Sequence, residues 1–183
     1  MTKRESLTKL RIVRNAIRED LLQFALPAIT VFFIELLFCS RDGLTDFWGT
    51  LWGLMRHPQR LSLLPLHSII GLAVVLIGFV VLLAGQLTLG LNHVSTVAIR
   101  EGHQLITHGI YRYTRNPMYL GVLLIVLGLP VYVASLYGFL TGLVLIPIFL
   151  NRIRLEERLL REEFGDRYEA YGARTKRLIP FIY

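Results

Sequence analysis

The chain has 183 residues, of which 54% are hydrophobic, and yet its formal net charge is +7. Soluble domains rarely combine such an apolar surplus with strongly segregated charge. Residues 1–20 hold six and residues 152–183 hold eight of the 20 Lys and Arg. Because these basic blocks flank apolar stretches, anionic lipid headgroups are the simpler counterion, and we predict no nucleic-acid partner. A single cysteine, Cys39, excludes an internal disulfide and a cysteine-rich metal site.

The first half of the chain predicts two membrane spans. Residues 1–20 have the pattern of a basic amphipathic helix at a membrane surface. Residues 21–39 follow as a first span, because a helix of that length rises about 28 Å, close to the hydrocarbon thickness of about 30 Å. Glu35 is its one ionisable group. A polar and aromatic loop at 40–63 suits the headgroup level, and residues 64–89 form the second span.

The second half predicts a helical hairpin. Residues 92–117 form a polar linker with two short β-like or irregular stretches. The apolar block 118–150 would extend about 50 Å as one helix, which is too long for a single span. Pro130 and the stretch Ser135–Gly138 therefore predict a break between two short helices, with one kinked helix as the alternative. A charged amphipathic helix follows at 151–171, and the remaining tail is expected to be irregular.

These elements predict an all-α fold: a polytopic membrane helical bundle of about four transmembrane helices, with a C-terminal helical hairpin and a cytoplasmic amphipathic helix. Both ends of the chain are rich in Arg, so the positive-inside rule places both termini in the cytoplasm. Residues 1–92 then supply the amphipathic helix and two spans, and residues 93–183 supply the hairpin and the functional region. The active site is expected at the cytoplasmic edge of the membrane.

Two polar segments can carry chemistry. The first, HQLITHGIYRYTRNPMY, runs from His103 to Tyr119 directly before an apolar helix. Pro117 suits the first turn of that helix, whose exposed amides can hold an anionic group. Tyr and Arg also anchor helices at the headgroup level, so composition alone leaves a binding site and an anchor equally open.

The second segment follows the last apolar helix and contains Arg152, Arg154, Glu156 and Glu157. Arg152 and Glu156 are four residues apart and share a helix face. A surface salt bridge would be the ordinary interpretation. Charge where a helix leaves the membrane is costly and usually functional, which favours a site. The histidines of the linker lack metal-ligand spacing, and we predict no metal.

The order and spacing of these segments resemble those of the isoprenylcysteine carboxyl methyltransferase family, in a wider group that includes phospholipid methyltransferases. The resemblance covers about residues 100–183. Its first part consists of His103, Leu105, Ile106, Thr107, Gly109, Ile110, Tyr111, Arg115, Asn116, Pro117, Tyr119 and Gly121. Its second part, after the apolar hairpin, consists of Arg152, Glu156, Glu157, Phe164, Gly165, Tyr168 and Tyr171.

The resemblance implies S-adenosylmethionine as cofactor, bound without a Rossmann fold. It assigns the cofactor-binding role to His103, Gln104, Leu105, Ile106, Tyr111, Asn116, Pro117, Met118, Tyr119 and Glu156. It assigns the substrate-binding role to Arg152. We predict the same role for Arg115. One departure is Asn116, where the family usually has His. Asn can hydrogen-bond but carries no charge, so a role that needs an imidazolium is in doubt.

Methyl transfer from a sulfonium is an in-line displacement that needs alignment and a nucleophile stripped of water. A carboxylate acceptor needs no general base, and Arg152 can steer it. An amine acceptor must lose a proton, for which Glu157 is the nearest candidate. We therefore predict a membrane methyltransferase with Arg152 and Glu157 as catalytic residues. Its partners would be membrane lipids and a lipophilic or lipidated substrate, with an isoprenylcysteine-like carboxylate favoured as the acceptor.

Three alternatives stay open at this point. The acceptor could be a phospholipid or another lipid amine. The chain could be a nicotinamide-dependent reductase of membrane lipids on a related scaffold. It could also be a membrane scaffold without catalytic activity, in which the motif is retained for folding.

Overall fold

The computed structural model describes residues 26–41, 46–56, 64–89 and 105–183. Within these ranges the protein is mostly helical and contains no β-strand, which agrees with the predicted all-α class. The predicted amphipathic helix at 1–20 lies outside the described residues, as do two of the predicted site residues, His103 and Gln104.

The described elements, in chain order, are helix α1 (Leu26–Arg41), α2 (Asp46–Arg56), α3 (Leu66–Leu89), the 3₁₀ turn η1 (Gly109–Arg112), α4 (Pro117–Tyr132), α5 (Leu136–Phe164) and α6 (Asp166–Arg174). Helices α3 and α5 are long and apolar enough to cross a membrane, and α4 is a shorter apolar helix. Helix α3 packs chiefly on α4, and α1 packs chiefly on α5. The count of four spans stays a prediction.

Two local predictions are corrected by the structure. The loop predicted at 40–63 contains α2, whose apolar residues recur at the three- and four-residue spacing of an amphipathic helix. The helix predicted at 151–171 is interrupted at Gly165, which has a φ of +50°. The Gly165 amide donates to the Arg161 carbonyl oxygen (2.9 Å), closing α5 in the left-handed region that glycine tolerates.

The apolar block 118–150 forms the predicted hairpin of two helices. The helix break predicted at Pro130 is not at that residue, because Pro130 lies inside α4, which continues to Tyr132. The turn follows, with Ala134 at a φ of +54°. Ser135 then caps α5, because its Oγ accepts from the amide of Gly138 (3.2 Å). The hairpin returns α5 to the start of α4 near Glu156, which contacts Tyr119, and the last two turns of α5 continue beyond that level.

Helices α3 and α4 pack backbone against backbone. Glycines recur every seven residues on α3, at Gly71, Gly78 and Gly85, and again on α4 at Gly121 and Gly128. A Cβ atom on Gly78 would lie 2.8 Å from the Gly121 carbonyl oxygen, and one on Gly128 would lie 3.1 Å from that of Gly71. Small residues at such crossings let apolar helices approach closely. The seven-residue glycine spacing was the sequence signal for this interface, and our sequence interpretation missed it.

This close contact sets the position of the functional segment. A Cβ on Gly85 would meet Met118 Cγ at 3.0 Å and Pro117 Cγ at 3.3 Å, so the end of α3 lies directly against the first turn of α4. Gly109, at a φ of +60°, begins η1 so close to Thr88 that a Cβ would lie 2.8 Å from the threonine methyl. Helix α3 therefore supports both η1 and the start of α4.

The substitution Gly78→Ala is expected to lower the free energy of unfolding by about 1–3 kcal/mol, because the added methyl overpacks a backbone contact. Gly53→Ala is the matched control. Nothing lies within 4 Å of a Cβ at Gly53 in α2, so alanine there should be neutral or stabilise by a few tenths of a kcal/mol to about 1 kcal/mol. Thermal unfolding of both variants in detergent measures the difference, and equal melting temperatures would contradict the close packing.

Candidate active site

The segment before α4 is joined to the C-terminal segment of the chain. Thr114 and Lys176 form a parallel β-bridge, in which the Arg115 amide donates to the Lys176 carbonyl oxygen (2.9 Å). The side-chain amide of Asn116 donates from Nδ2 to the Arg177 carbonyl oxygen (2.8 Å). The residue that replaces the family's usual His therefore holds the C-terminal segment in place. Its predicted contact with a cofactor stays a prediction.

The hairpin brings the two predicted segments into direct contact. The Tyr119 hydroxyl donates to Glu156 Oε1 (2.7 Å), and Arg152 Nε donates to the same oxygen (2.9 Å). The Arg152 side chain is 4% exposed and that of Glu156 is 30% exposed. The Tyr119 ring packs edge-on against Phe149, with centroids 5.4 Å apart. The carboxylate of a partly exposed side chain is thus held between a phenol and a buried guanidinium.

Glu157, the next residue, has a different environment. Its carboxylate is 2% exposed and accepts from two arginines, Arg115 Nε at Oε1 (2.9 Å) and Arg177 Nε at Oε2 (3.0 Å). Arg115 also donates from Nη1 to the carbonyl oxygens of Gly172 (3.0 Å) and Thr175. Both carboxylate oxygens are thus engaged in fixing α5 to the segment before α4 and to the C-terminal segment.

Three tyrosines line the region between η1 and α6. The Tyr171 hydroxyl donates to the Tyr111 carbonyl oxygen (2.7 Å), which ties α6 to η1. Burial, together with the negative charge of the Glu156 carboxylate, raises the pKa of Tyr111 to about 12. Burial likewise raises the pKa of Tyr168 and Tyr171 above the ordinary tyrosine value. All three phenols are therefore neutral near pH 7, and the Tyr171 hydroxyl keeps the proton that it donates to Tyr111.

The remaining predicted site residues lie around this centre. Leu105 and Ile106 are half-buried at the start of the described linker. Between 105 and 116 that linker forms η1 and irregular structure, together with the single β-bridge at Thr114, which agrees with the β-like or irregular stretches predicted for it. Pro117 is buried in the first turn of α4, as its sequence position predicted, and Met118 is half-buried beside it.

Arg177 has a part in this site that its sequence context did not indicate. Besides its ion pair with Glu157, Arg177 donates from Nη1 to the Tyr183 hydroxyl (2.9 Å), and its guanidinium lies 5.5 Å from the centroid of that ring. A basic residue in a segment expected to be irregular gave no signal of a buried partner 20 residues earlier in the chain.

Comparison with known proteins places this site in a family. The model of the family described as phospholipid methyltransferase matches residues 66–167. The chain belongs to this family. The matched region runs from α3 to the start of α6, and so it includes the α3–α4 interface, Tyr119, Arg152, Glu156 and Glu157. The paired segment around Arg177 lies beyond it.

Several similar proteins carry methyltransferase names. A probable protein-S-isoprenylcysteine O-methyltransferase of Oryza sativa is 38% identical over 118 residues, which are 63% of this chain and 62% of the rice protein. A protein-S-isoprenylcysteine O-methyltransferase of Schizosaccharomyces pombe is 36% identical over 100 residues, 54% of this chain and 41% of the yeast protein. The chain therefore spans less than two thirds of the length of these relatives.

A solved structure has a similar fold. The eukaryotic intramembrane Ras methyltransferase ICMT (isoprenylcysteine carboxyl methyltransferase) superposes with a TM-score of 0.61 at 27% identity, covering 78% of this chain and 52% of that one. The resemblance to the isoprenylcysteine carboxyl methyltransferases predicted from the sequence is therefore confirmed.

Proposed function

We propose that this protein is an S-adenosylmethionine-dependent methyltransferase embedded in a membrane, and that it methylates the carboxylate of an isoprenylcysteine-like, lipid-tailed substrate. The observation that carries the proposal is the hydrogen-bonded group of Tyr119, Glu156 and Arg152 at the open end of the hairpin, opposite its turn. Its supporting context is a family whose similar members are named for this reaction.

The residues present fit the cofactor. S-adenosylmethionine combines a cationic sulfonium, an amino-acid head and an aromatic base, and it supplies an electrophilic methyl group when bound. The Glu156 side chain is 30% exposed, it accepts from Tyr119, and its charge acts on Tyr111, and such a set suits a cationic ligand. The residues proposed to hold the cofactor are those predicted from the sequence: His103, Gln104, Leu105, Ile106, Tyr111, Asn116, Pro117, Met118, Tyr119 and Glu156.

The protein's own part in the reaction is positioning and exclusion of water. Arg152 is 4% exposed, and a guanidinium so buried can orient an acceptor carboxylate by charge-assisted hydrogen bonds. Such a carboxylate is already ionised at neutral pH, so no proton has to be removed. This agrees with a Glu157 whose two oxygens are already engaged. The proton-acceptor role predicted for Glu157 would be needed only for an amine acceptor. The substrate-binding role predicted for Arg115 would come in addition to its ion pair with Glu157.

We further propose the membrane arrangement predicted from the sequence. Four spans place both termini and the active site on the cytoplasmic side, with residues 1–92 as a membrane unit and 93–183 as the catalytic region. The outward face of α3 supports contact with lipid, because Phe79, Val80 and Leu87 are 52%, 64% and 79% exposed. A prenyl tail could remain in the bilayer while its polar head reaches Arg152.

The product of the reaction tests the proposal. Membranes that contain the protein are incubated with methyl-labelled S-adenosylmethionine and an S-farnesylated N-acetylcysteine. We expect label in a lipid-extractable product that mild base releases as methanol, because the product is an ester. Membranes with the Glu156→Gln variant serve as the matched control. No labelled ester above that control would contradict the proposal.

A second candidate is methylation of a phospholipid amine, which the description of the family model favours. In this case the label would enter phosphatidylethanolamine of the same membranes and resist base. Titration of the purified protein with S-adenosylmethionine and with a nicotinamide cofactor separates both reactions from the reductase alternative, since tighter binding of the nicotinamide would exclude methyl transfer.

A further inference from the structure

Residues Leu178–Tyr183 fold into a closed loop at the end of the described chain. The Tyr183 carbonyl oxygen accepts from the amides of Leu178 (2.6 Å) and Ile179 (2.8 Å), and the Ile182 amide donates to the Ile179 carbonyl oxygen (3.2 Å). Phe181 takes a φ of +67°, which L-residues rarely adopt. The backbone of the Leu178–Tyr183 loop is thus closed by its own hydrogen bonds.

The side chains displayed by this loop are apolar and uncovered. Phe181 is 83% exposed, Ile182 75% and Ile179 44%. Tyr113, 53% exposed, extends the same surface, because its ring contacts that of Phe181 with centroids 6.5 Å apart. A contiguous apolar patch of this kind on a defined loop indicates a binding surface.

The position of the loop indicates what covers it. Leu178, at 5% exposure, belongs to the same buried cluster as Leu123 of α4 and Phe149 and Ile153 of α5. The Thr114 hydroxyl, three residues before α4, donates to the Leu178 carbonyl oxygen (2.8 Å). The loop therefore lies where the apolar hairpin begins and where α5 changes from apolar to charged residues. In a membrane protein this level is the bilayer interface.

The charges around the loop suit anionic lipid. Segments 105–116 and 172–183 contain no Asp or Glu, and Arg112, Arg174 and Lys176 are exposed. Aromatic and aliphatic side chains ringed by basic residues are the pattern of segments that lie in the headgroup region.

We propose that the Leu178–Tyr183 loop inserts Phe181 and Ile182 into the bilayer interface beside the active site, with the surrounding basic residues on lipid phosphates. Asn116 and Arg115 hydrogen-bond to Arg177 and Lys176, directly before the loop. Insertion of the loop therefore fixes the active site at the depth of lipid headgroups. The inference needs only that the protein is embedded in a membrane, and it stands whichever group is methylated.

Spin-label accessibility tests the proposal without an activity assay. In a Cys39→Ala background, Phe181→Cys is labelled with a nitroxide and reconstituted into vesicles of phosphatidylcholine and phosphatidylglycerol. Collision rates are measured with oxygen, which concentrates in the bilayer, and with a water-soluble nickel chelate. Glu163→Cys on the exposed charged face of α5 is the aqueous control, and Phe79→Cys on the outward face of α3 is the bilayer control.

We expect the ratio of oxygen to nickel collisions at position 181 to exceed that at 163 several-fold and to approach that at 79. Ile182→Cys should give the same result. This second labelled position shows whether the result at 181 comes from the loop or from the one substitution. A ratio equal to that at 163 would place the loop in water and overturn the proposal. Exclusion of both reagents relative to both controls would show that protein covers the loop, and this would overturn it as well.

Discussion

The substitution Glu156→Gln is expected to lower kcat/KM for methyl transfer by about 100-fold or more, the usual size of the effect when a preorganised charge is removed from an active site. Glutamine has nearly the same shape and can still accept from Tyr119, which donates to Oε1 in the wild type. It removes the negative charge that faces both the proposed sulfonium and Arg152. The measurement is the initial rate of labelled ester formation over a range of cofactor concentrations.

The control for this variant is Glu163→Gln, on an exposed face of the same helix. It makes the same chemical change and should leave the rate and the melting temperature unchanged. Because Arg152 is buried, Glu156→Gln will also cost some stability. Cofactor affinity is therefore measured below the melting temperature of the variant. If Glu156→Gln kept the wild-type affinity for the cofactor and the wild-type rate, the assignment of Glu156 to the active site would be wrong.

The hairpin and the meeting of the two segments could be predicted from sequence. An apolar block too long for one helix must either kink or turn, and charged motifs at both of its ends then come together at one level. The contact between Tyr119 and Glu156, 37 residues apart, is the result. The residue types at the two ends of the block and the spacing between them were enough to predict this contact, because a hairpin joins segments that are close in sequence.

The surroundings of Glu157 could not be predicted in this way. As the neighbour of Glu156, it was assigned a reactive role in the sequence. Helix geometry, however, places adjacent residues about 100° apart, so the two carboxylates face different surroundings. Its partners come from the linker and from the C-terminal segment, and the latter reaches it because Gly165 ends α5 and lets α6 fold back. A glycine after a charged helical stretch was the available signal for that turn.

Glu157→Gln is expected to lower the free energy of unfolding by about 3 kcal/mol, because it leaves buried guanidinium charge without its counterion. Arg115 and Arg177 are 10% and 25% exposed in their ion pairs with this 2%-exposed carboxylate. The segment held by Arg177 should detach more readily as well. Thermal unfolding in detergent and the rate of trypsin cleavage at Lys176 and Arg177 measure the two effects.

The same variant separates a positioning role from a catalytic one. If Glu157 only holds the C-terminal segment against the site, kcat for a carboxylate acceptor should stay near the wild-type value at temperatures where the variant is folded, while the melting temperature falls and trypsin cleavage accelerates. The control Glu163→Gln should change none of the three. A loss of kcat without a change in stability or cleavage would instead mean that Glu157 acts on the reacting groups, in spite of the two arginines that occupy its oxygens.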